Sequence, residues 1–330
     1  MVNKRAEEEQ AIVDEQMMPD IAADTLKGLT ASPKHLFPKY FYDKRGSEIF
    51  GEITRMPGYY LTKAEKEIFD VYGKVIASKI NSHMPLKLIE LGSGDGLKTK
   101  ILIGHLSAMN ADLCFMPVDI SKNANDEILE SVKKEFPGVT IRPVTTDYFR
   151  IAGRIEPVRG TKQAILFLGS NIGNIEKREM NQFFGNISDI MMPGDNLLIG
   201  FDMKKSPSVI MKAYNDAHGI TTRFNLNLLE RLNREAGMNF VISMFEHHTS
   251  YDPVSGEVRS YIVSTMEHTV FSSVLGTSFQ FREWEPVFME MSKKFDFDEI
   301  YSLASSYGFS IIENFSDKRE YFTDSLWVKT

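Results

Sequence analysis

The sequence predicts an α/β fold in which a parallel sheet, laid down by alternating strands and helices, is interrupted by an inserted second domain. Three observations carry this. From Leu86 to Phe201 short apolar runs alternate with helical stretches, the order that yields parallel strands joined by right-handed crossovers. Between 205 and 294 the alternation stops. From Asp298 to Val328 it resumes.

In chain order, residues 1–30 mix acids, alanines and methionines; a loose helix is expected there, with residues 1–14 disordered. Pro33 to Tyr60 is rich in aromatics (Phe37, Tyr40, Phe41, Tyr42, Phe50, Tyr59, Tyr60). Most of these rings are expected to pack on a neighbouring domain, and tyrosines beside Pro57-Gly58 could equally line a pocket. After a helix over Lys63–Ile80 come a strand at Leu86–Glu90, a helix from Leu97 to Met109, a strand at Leu113–Asp119, a helix including Glu127–Glu135, and a strand at Thr140–Val144. A fourth strand at Ala164–Leu168 and a fifth at Asn196–Phe201 flank a helix at Lys177–Ile190. In the interruption, a helix from Thr222 to Glu235 stops at Gly237, a glycine placed as a C-terminal cap. Phe245–Tyr251 and Glu257–Thr265, joined by Asp252-Pro253-Val254-Ser255-Gly256, read as a hairpin. The end brings a helix at Asp298–Tyr307 and strands at Phe309–Phe315 and Tyr321–Val328, a closing pair suited to a sheet edge with one antiparallel strand.

The domains expected are 64–204 plus 295–330 for the sheet, and 15–63 plus 205–294 for a second domain that closes the site. At 42% hydrophobic and 25% charged residues, the 330-residue chain has ample material for such cores. A net charge of −7 with no basic run argues against nucleic acid as partner. No segment reaches the ~20 apolar residues of a membrane span, and no signal peptide is evident, so a cytoplasmic monomer is expected. The single cysteine, Cys114, allows no intrachain disulfide or cysteine-based zinc site and reads as a small buried thiol. The seven histidines show no metal-ligand spacing, and His247 and His248 are expected to point to opposite faces of a strand.

The loops after successive strands carry the chemistry. Glu90-Leu91-Gly92-Ser93-Gly94-Asp95-Gly96 follows the first strand and opens a helix, where glycines let the backbone approach a ligand. The dinucleotide fingerprint G-x-G-x-x-G would place glycine at 97, but Leu97 stands there, which disfavours a nicotinamide oxidoreductase. Asp119 ends the second strand, where a carboxylate can accept both ribose hydroxyls of an adenosine; Asp147, after the third, could accept the adenine amine. Each acid taken alone could instead be a helix cap or a solvated loop residue. Together, three such sites after three successive strands point to an S-adenosylmethionine site.

Phe41-Tyr42-Asp43-x-x-Gly46-Ser47-x-x-Phe50, Ile53-Thr54-Arg55-x-Pro57-x-Tyr59-Tyr60 and Glu65 resemble the start of the histidine Nα-methyltransferases of ergothioneine biosynthesis. The likeness continues through Glu90–Gly94 with Lys98-Thr99, Pro117-Val118-Asp119, Phe167-Leu168-Gly169-Ser170-x-Ile172-Gly173-Asn174 and Ala213-Tyr214-x-Asp216. Phe224-Asn225-x-Asn227, Leu232-Asn233-Arg234-Glu235 and Glu290-x-Ser292-x-Lys294-Phe295 extend it, so that it covers the chain from about Pro38 onward. The resemblance implies a class I methyltransferase: a Rossmann-like seven-stranded sheet with an inserted substrate-binding domain. It also implies S-adenosyl-L-methionine as methyl donor, S-adenosyl-L-homocysteine as product, no metal, and L-histidine as a small-molecule substrate converted to its trimethyl betaine, hercynine.

Residue by residue, the resemblance implies that Gly92, Ser93, Gly94, Lys98, Asp119, Asp147 and Tyr148 bind the cofactor. Asn174 and Tyr214 would hold the substrate's amino-carboxylate end, Tyr59, Glu290 and Ser292 would surround the imidazole, and Tyr42 and Asn174 would act at the reactive amine. Asn174 could instead cap the helix that follows it, and Tyr214 could be a core ring. In Phe288-Met289-Glu290-Met291-Ser292, alternation puts Glu290 and Ser292 on one face, where an inward carboxylate needs a polar partner. Phe288-Met289 stand where the family often has polar residues, and Ser260 where it often has a methionine, so the ring pocket is expected to differ. Alternative readings are the same chemistry on another amine, such as a tryptophan derivative, or a cofactor-binding relative without catalysis.

Overall fold

The structure, a computed structural model, describes residues 20–94 and 96–330. The expectation of disorder over 1–14 falls outside the described residues. In chain order the helices are α1 (Asp20–Thr30), α2 (Lys44–Arg55), α3 (Leu61–Ile80), α4 (Leu97–Ala108), α5 (Lys122–Glu135), α6 (Met180–Asp189), α7 (Pro207–Tyr214), α8 (Ile220–Glu235) and α9 (Phe297–Ser306). The strands are β1 (Leu86–Leu91), β2 (Leu113–Asp119), β3 (Thr140–Ile141), β4 (Val144–Thr145), β5 (Lys162–Phe167), β6 (Asn196–Asp202), β7 (Phe245–Asp252), β8 (Glu257–Ser264), β9 (His268–Ser272), β10 (Thr277–Phe281), β11 (Pro286–Lys293), β12 (Phe309–Ser316) and β13 (Phe322–Lys329).

Two compact units emerge. One holds the described residues up to Gly58 with Pro207–Tyr251 and Val258–Glu290; the other holds Tyr59–Ser206, Asp252–Glu257 and Met291–Thr330. The second is built on one sheet in the order β12-β13-β6-β5-β1-β2-β3, seven strands on the path, with β4 as a further pairing on β2. β1, β2, β5 and β6 run parallel, as alternating strands and helices require, and β13 closes the sheet antiparallel to both β6 and β12. β6 is buried at every residue because neighbours cover it on both faces. The core on one side gathers Phe167, Phe183, Phe184, Phe201 and Trp327, with Phe184 stacked on Tyr307 at 4.2 Å between centroids.

Two expectations need correction. The strand anticipated over Thr140–Val144 is broken into β3 and β4 at Arg142-Pro143, because proline has no N–H to give the ladder. The helix anticipated from Lys177 begins only at Met180, and Asn174 sits earlier, in a 3₁₀ turn over Asn171–Asn174. Its role as that helix's cap therefore falls away.

In the other unit, α2 and α1 lie on α8. Phe41 stacks on Phe224 at 4.8 Å, and Asp43, the N-cap of α2, accepts Asn227 Nδ2 at 2.9 Å and pairs with Arg234 at 2.5 Å. A sheet in the order β11-β8-β7 contains the anticipated hairpin, and Lys34 and Leu36 extend it by backbone bonds to Phe288. Along β7, His247 is half-buried and His248 exposed. The hairpin of β9 and β10 is an element the sequence reading passed over.

Candidate active site

The carboxyl ends of parallel strands form the crevice where doubly wound sheets hold ligands. Leu91 pairs with Val118 and Asp119 with Thr145, so Gly92, Asp119 and the Thr146-Asp147 loop stand at the ends of three neighbouring strands. The glycine loop turns through positive φ at Gly92 and Gly94. Ser93 is buried, and its hydroxyl makes no hydrogen bond among the described residues. Asp119 Oδ1 accepts the Ser121 N–H at 2.8 Å. Burial pushes its carboxyl above the usual range, although the amides of Ser121, Gly94 and Ile120 pull the other way. Asp147 accepts the Phe149 N–H at 2.9 Å, and the Tyr148 ring packs against Phe149, Phe167 and Phe183.

The end of β5 adds a donor-rich edge. A Cβ built on Gly92 would stand 3.4 Å from Asn171 Nδ2, and one built on Gly169 would stand 3.7 Å from Lys98 Nζ and 3.8 Å from Asn171 Nδ2. Two bare glycines thus leave room beside an ammonium and an amide. Lys98 is ion-paired with Glu65, which is 1% exposed and also accepts the Gly169 N–H at 2.6 Å. An acid for ribose hydroxyls, an aromatic face, an orphaned serine hydroxyl and donors for a carboxylate fit an adenosyl group with an amino-acid tail. Glu65 and Asn171 were not singled out as site residues in the sequence, because single acids and amides give no signal until the fold joins them.

Of the residues expected to meet the substrate, Tyr42, Tyr214 and Glu290 belong to the first unit. Tyr42 is 42% exposed, its ring edge-on to Phe50 and Phe224. Tyr214 ends α7, half-buried, and its backbone carbonyl accepts Thr249 Oγ1 at 3.2 Å. Glu290 is half-buried on β11, alternating with the buried Val287 and Met289. Ser260 is buried on β8, while Phe288 meets Tyr261 edge-on at 5.8 Å.

In the sheet unit, Tyr59 is half-buried just before α3. The turn that ends at Asn174 packs on the end of β11, where Gly173 has space for no side chain, since its Cβ would meet the Lys293 carbonyl at 2.6 Å. Ser292 Oγ accepts from Lys294 Nζ at 2.7 Å, and Lys294, 0% exposed, pairs with Asp202 Oδ2 at 2.9 Å. Asp202 also accepts the Tyr60 hydroxyl at 2.9 Å and pairs with Lys205. Burial pushes the Lys205 ammonium down although Asp202 opposes the shift. An ammonium has only N–H groups to give, so Ser292 is the acceptor of Lys294 and its own O–H is cast as a donor. Asp202, Lys205 and Lys294 went unremarked as a group; the run Asp202-Met203-Lys204-Lys205 at the end of an apolar strand was their one sequence signal.

Among the described residues, no group of three or more His, Cys, Asp or Glu could hold a metal ion, and no helix is long and apolar enough to cross a membrane. Cys114 is half-buried, and burial raises its thiol above the usual range.

Comparison with known proteins matches residues 21–329 to the family described as histidine-specific methyltransferase, SAM-dependent. The histidine N-alpha-methyltransferase of Mycobacterium tuberculosis is 32% identical over 306 residues, covering 93% of this chain and 94% of that protein. Its namesake from Mycolicibacterium smegmatis is 33% identical over 281 residues, covering 84% and 86%. A 4-dimethylallyltryptophan N-methyltransferase of Claviceps purpurea is 29% identical over 202 residues, 57% of each chain.

Proposed function

The chain belongs to the histidine-specific, S-adenosylmethionine-dependent methyltransferase family, and from that premise we propose that it methylates the α-amino group of free L-histidine three times, yielding the betaine. The observation that carries the substrate reading is the buried chain Asp202–Lys294–Ser292. It holds a hydroxyl as donor two residues along β11 from the Glu290 carboxylate. A neutral imidazole carries one N–H and one bare nitrogen, which match an acceptor at Glu290 and a donor at Ser292. An apolar ring would offer neither group a hydrogen bond.

The cofactor, when bound, supplies a methyl carbon on a sulfonium, a centre already primed for displacement. The chain's own work is alignment, water exclusion and proton handling. Asn174 and Tyr214 hold the amino-carboxylate end of the substrate. One proton leaves the nitrogen before each transfer, so that its lone pair faces the methyl. The Asn174 side-chain carbonyl accepts an N–H of the amine and so turns the lone pair toward the methyl, and the Tyr42 hydroxyl or water relays the departing protons to solvent. Gly92, Ser93, Gly94, Lys98, Asp119, Asp147 and Tyr148 hold the donor. The unit containing α2, α8 and β7 to β10 is the substrate domain.

Incubation with S-adenosylmethionine and each of the twenty amino acids, read by mass spectrometry, tests this reading. Histidine should gain one, two and three methyl groups in succession, and Glu290→Ala should lower histidine turnover and relax discrimination against phenylalanine and tryptophan while cofactor binding survives. Methylation of a tryptophan derivative or another amine, with histidine untouched, would leave the reaction class and remove the substrate.

A further inference from the structure

Under the loop that follows β5 lies a group of charges of which only Lys98 has been given a part in methyl transfer. Glu65, on the buried face of α3, holds the Gly169 amide with Oε1 and the Lys98 ammonium with Oε2. It fits there because β6 carries a glycine: a Cβ at Gly200 would stand 2.8 Å from Glu65 Oε1. Directly across the ladder from Gly200 is Asp324 of β13, 0% exposed, and neither of its oxygens makes a hydrogen bond among the described residues. Two buried carboxyl groups therefore lie within the field of one ammonium, and only Glu65 is bonded to it.

A carboxylate buried without donors is costly enough that the group takes up a proton instead. Glu65 has two donors and Asp324 has none, so the negative charge belongs on Glu65. We propose that Glu65 is the positioning residue for the cofactor's amino-acid end, its carboxylate fixing both the Lys98 ammonium and the Gly169 amide, while Asp324 beneath it stands as a neutral acid. The proposal rests on Lys98 being a cofactor ligand.

The energetics run the same way. Burial, then the Glu65 charge, push the Asp324 carboxyl well above the usual carboxylate range, and Lys98 offsets only part of this. Burial works against the Lys98 ammonium, but the Glu65 carboxylate, ahead of every other acid, outweighs that and holds it charged. Lys98 offers three N–H groups. Glu65 occupies one and sets the head beside bare Gly169, with Asn171 alongside. Were both acids ionised, the cluster would oppose an incoming carboxylate; a neutral Asp324 removes that repulsion.

The test uses the full chain and S-adenosylhomocysteine. Wild type should bind it in calorimetry, and its infrared spectrum should show a protonated-carboxyl band that Asp324→Asn lacks. Glu65→Gln should raise the Kd, and the KM for S-adenosylmethionine, by about tenfold or more with kcat within about threefold, and adding Lys98→Met should weaken binding little further, because both substitutions act through one ammonium. If Glu65→Gln does not fold, Glu65→Asp serves: it keeps the charge but draws it back from Gly169, and the same rise in Kd is expected. A folded Glu65 variant that binds like wild type while Lys98→Met does not overturns the positioning role and leaves the cofactor site standing. A band that survives in Asp324→Asn overturns the neutral acid. Wild type that fails to bind S-adenosylhomocysteine overturns the cofactor reading and takes this proposal with it.

Discussion

At the scale of single residues, the acid at the end of β2 is the sharpest test of the cofactor crevice. Asp119 is partly buried, already shares one oxygen with the Ser121 amide, and is raised by burial. Ribose hydroxyls would supply the missing donors. Asp119→Ala should therefore weaken S-adenosylhomocysteine by about 1.5–3 kcal/mol, the range for hydrogen bonds to a charged group; calorimetry showing equal affinity in a folded variant removes the assignment. The strand-end places of Gly92, Asp119 and Asp147 were legible in the sequence, because strand ends can be found from hydrophobicity alone. Asp324 was not. It occupies the interior of a strand whose neighbours, Thr323 and Ser325, are polar and buried too, so no alternation marks it. Its partners Glu65 and Lys98 come from α3 and α4, and only tertiary packing unites the three.

At the scale of elements, boundaries followed local chemistry wherever that chemistry was strong. α9 begins at a capping box in which Asp296 accepts the Glu299 amide and Glu299 accepts the Asp296 amide, and Asp296 also pairs with Lys204 at 2.9 Å. Asp296→Ala should cost about 0.5–2 kcal/mol of stability, the usual worth of an N-cap. Asp296→Asn should cost less, because asparagine caps as well and gives up only the ion pair. The Lys204 hydrogen bond, ahead of the opposing effect of burial, holds the Asp296 carboxyl below its usual range. Its contribution is therefore present above the unfolded value near ~3.9 and is lost as pH falls through the lower folded value. Wild type and Asp296→Asn should converge in acid, and a gap that widens below pH ~4 in urea titrations would contradict this. Where local chemistry was weak, reading failed. In β9 the core face carries Val270 and Ser272, and a buried serine that donates to the Ala236 carbonyl breaks the hydrophobic period. At β3 and β4 the stretch Thr140–Val144 read as one strand, and the proline within it decided the matter.

At the scale of the whole molecule, the chain moves back and forth between the two units: one gathers the described residues up to Gly58, Pro207–Tyr251 and Val258–Glu290, and the other everything between and after. The break and resumption of the strand–helix rhythm foretold an interruption, but not that Asp252–Glu257 would group with the sheet. In that sheet β13 lies between β12 and β6, and its Lys329 ammonium caps the carbonyls of Ser188 and Met191. Synthesis, however, runs in one direction. A nascent chain whose β6 has left the ribosome still has an open sheet edge where β13 belongs, and it keeps that edge until β13 has emerged as well. Chains stalled after Asp317 should therefore stay open to protease, whereas chains carrying all of β13 beyond the exit tunnel should resist it; equal resistance in the two would show that the sheet matures without its interior strand. The order of strands in space thus makes the emergence of β13, rather than that of the strand-end loops, the moment at which this sheet is complete.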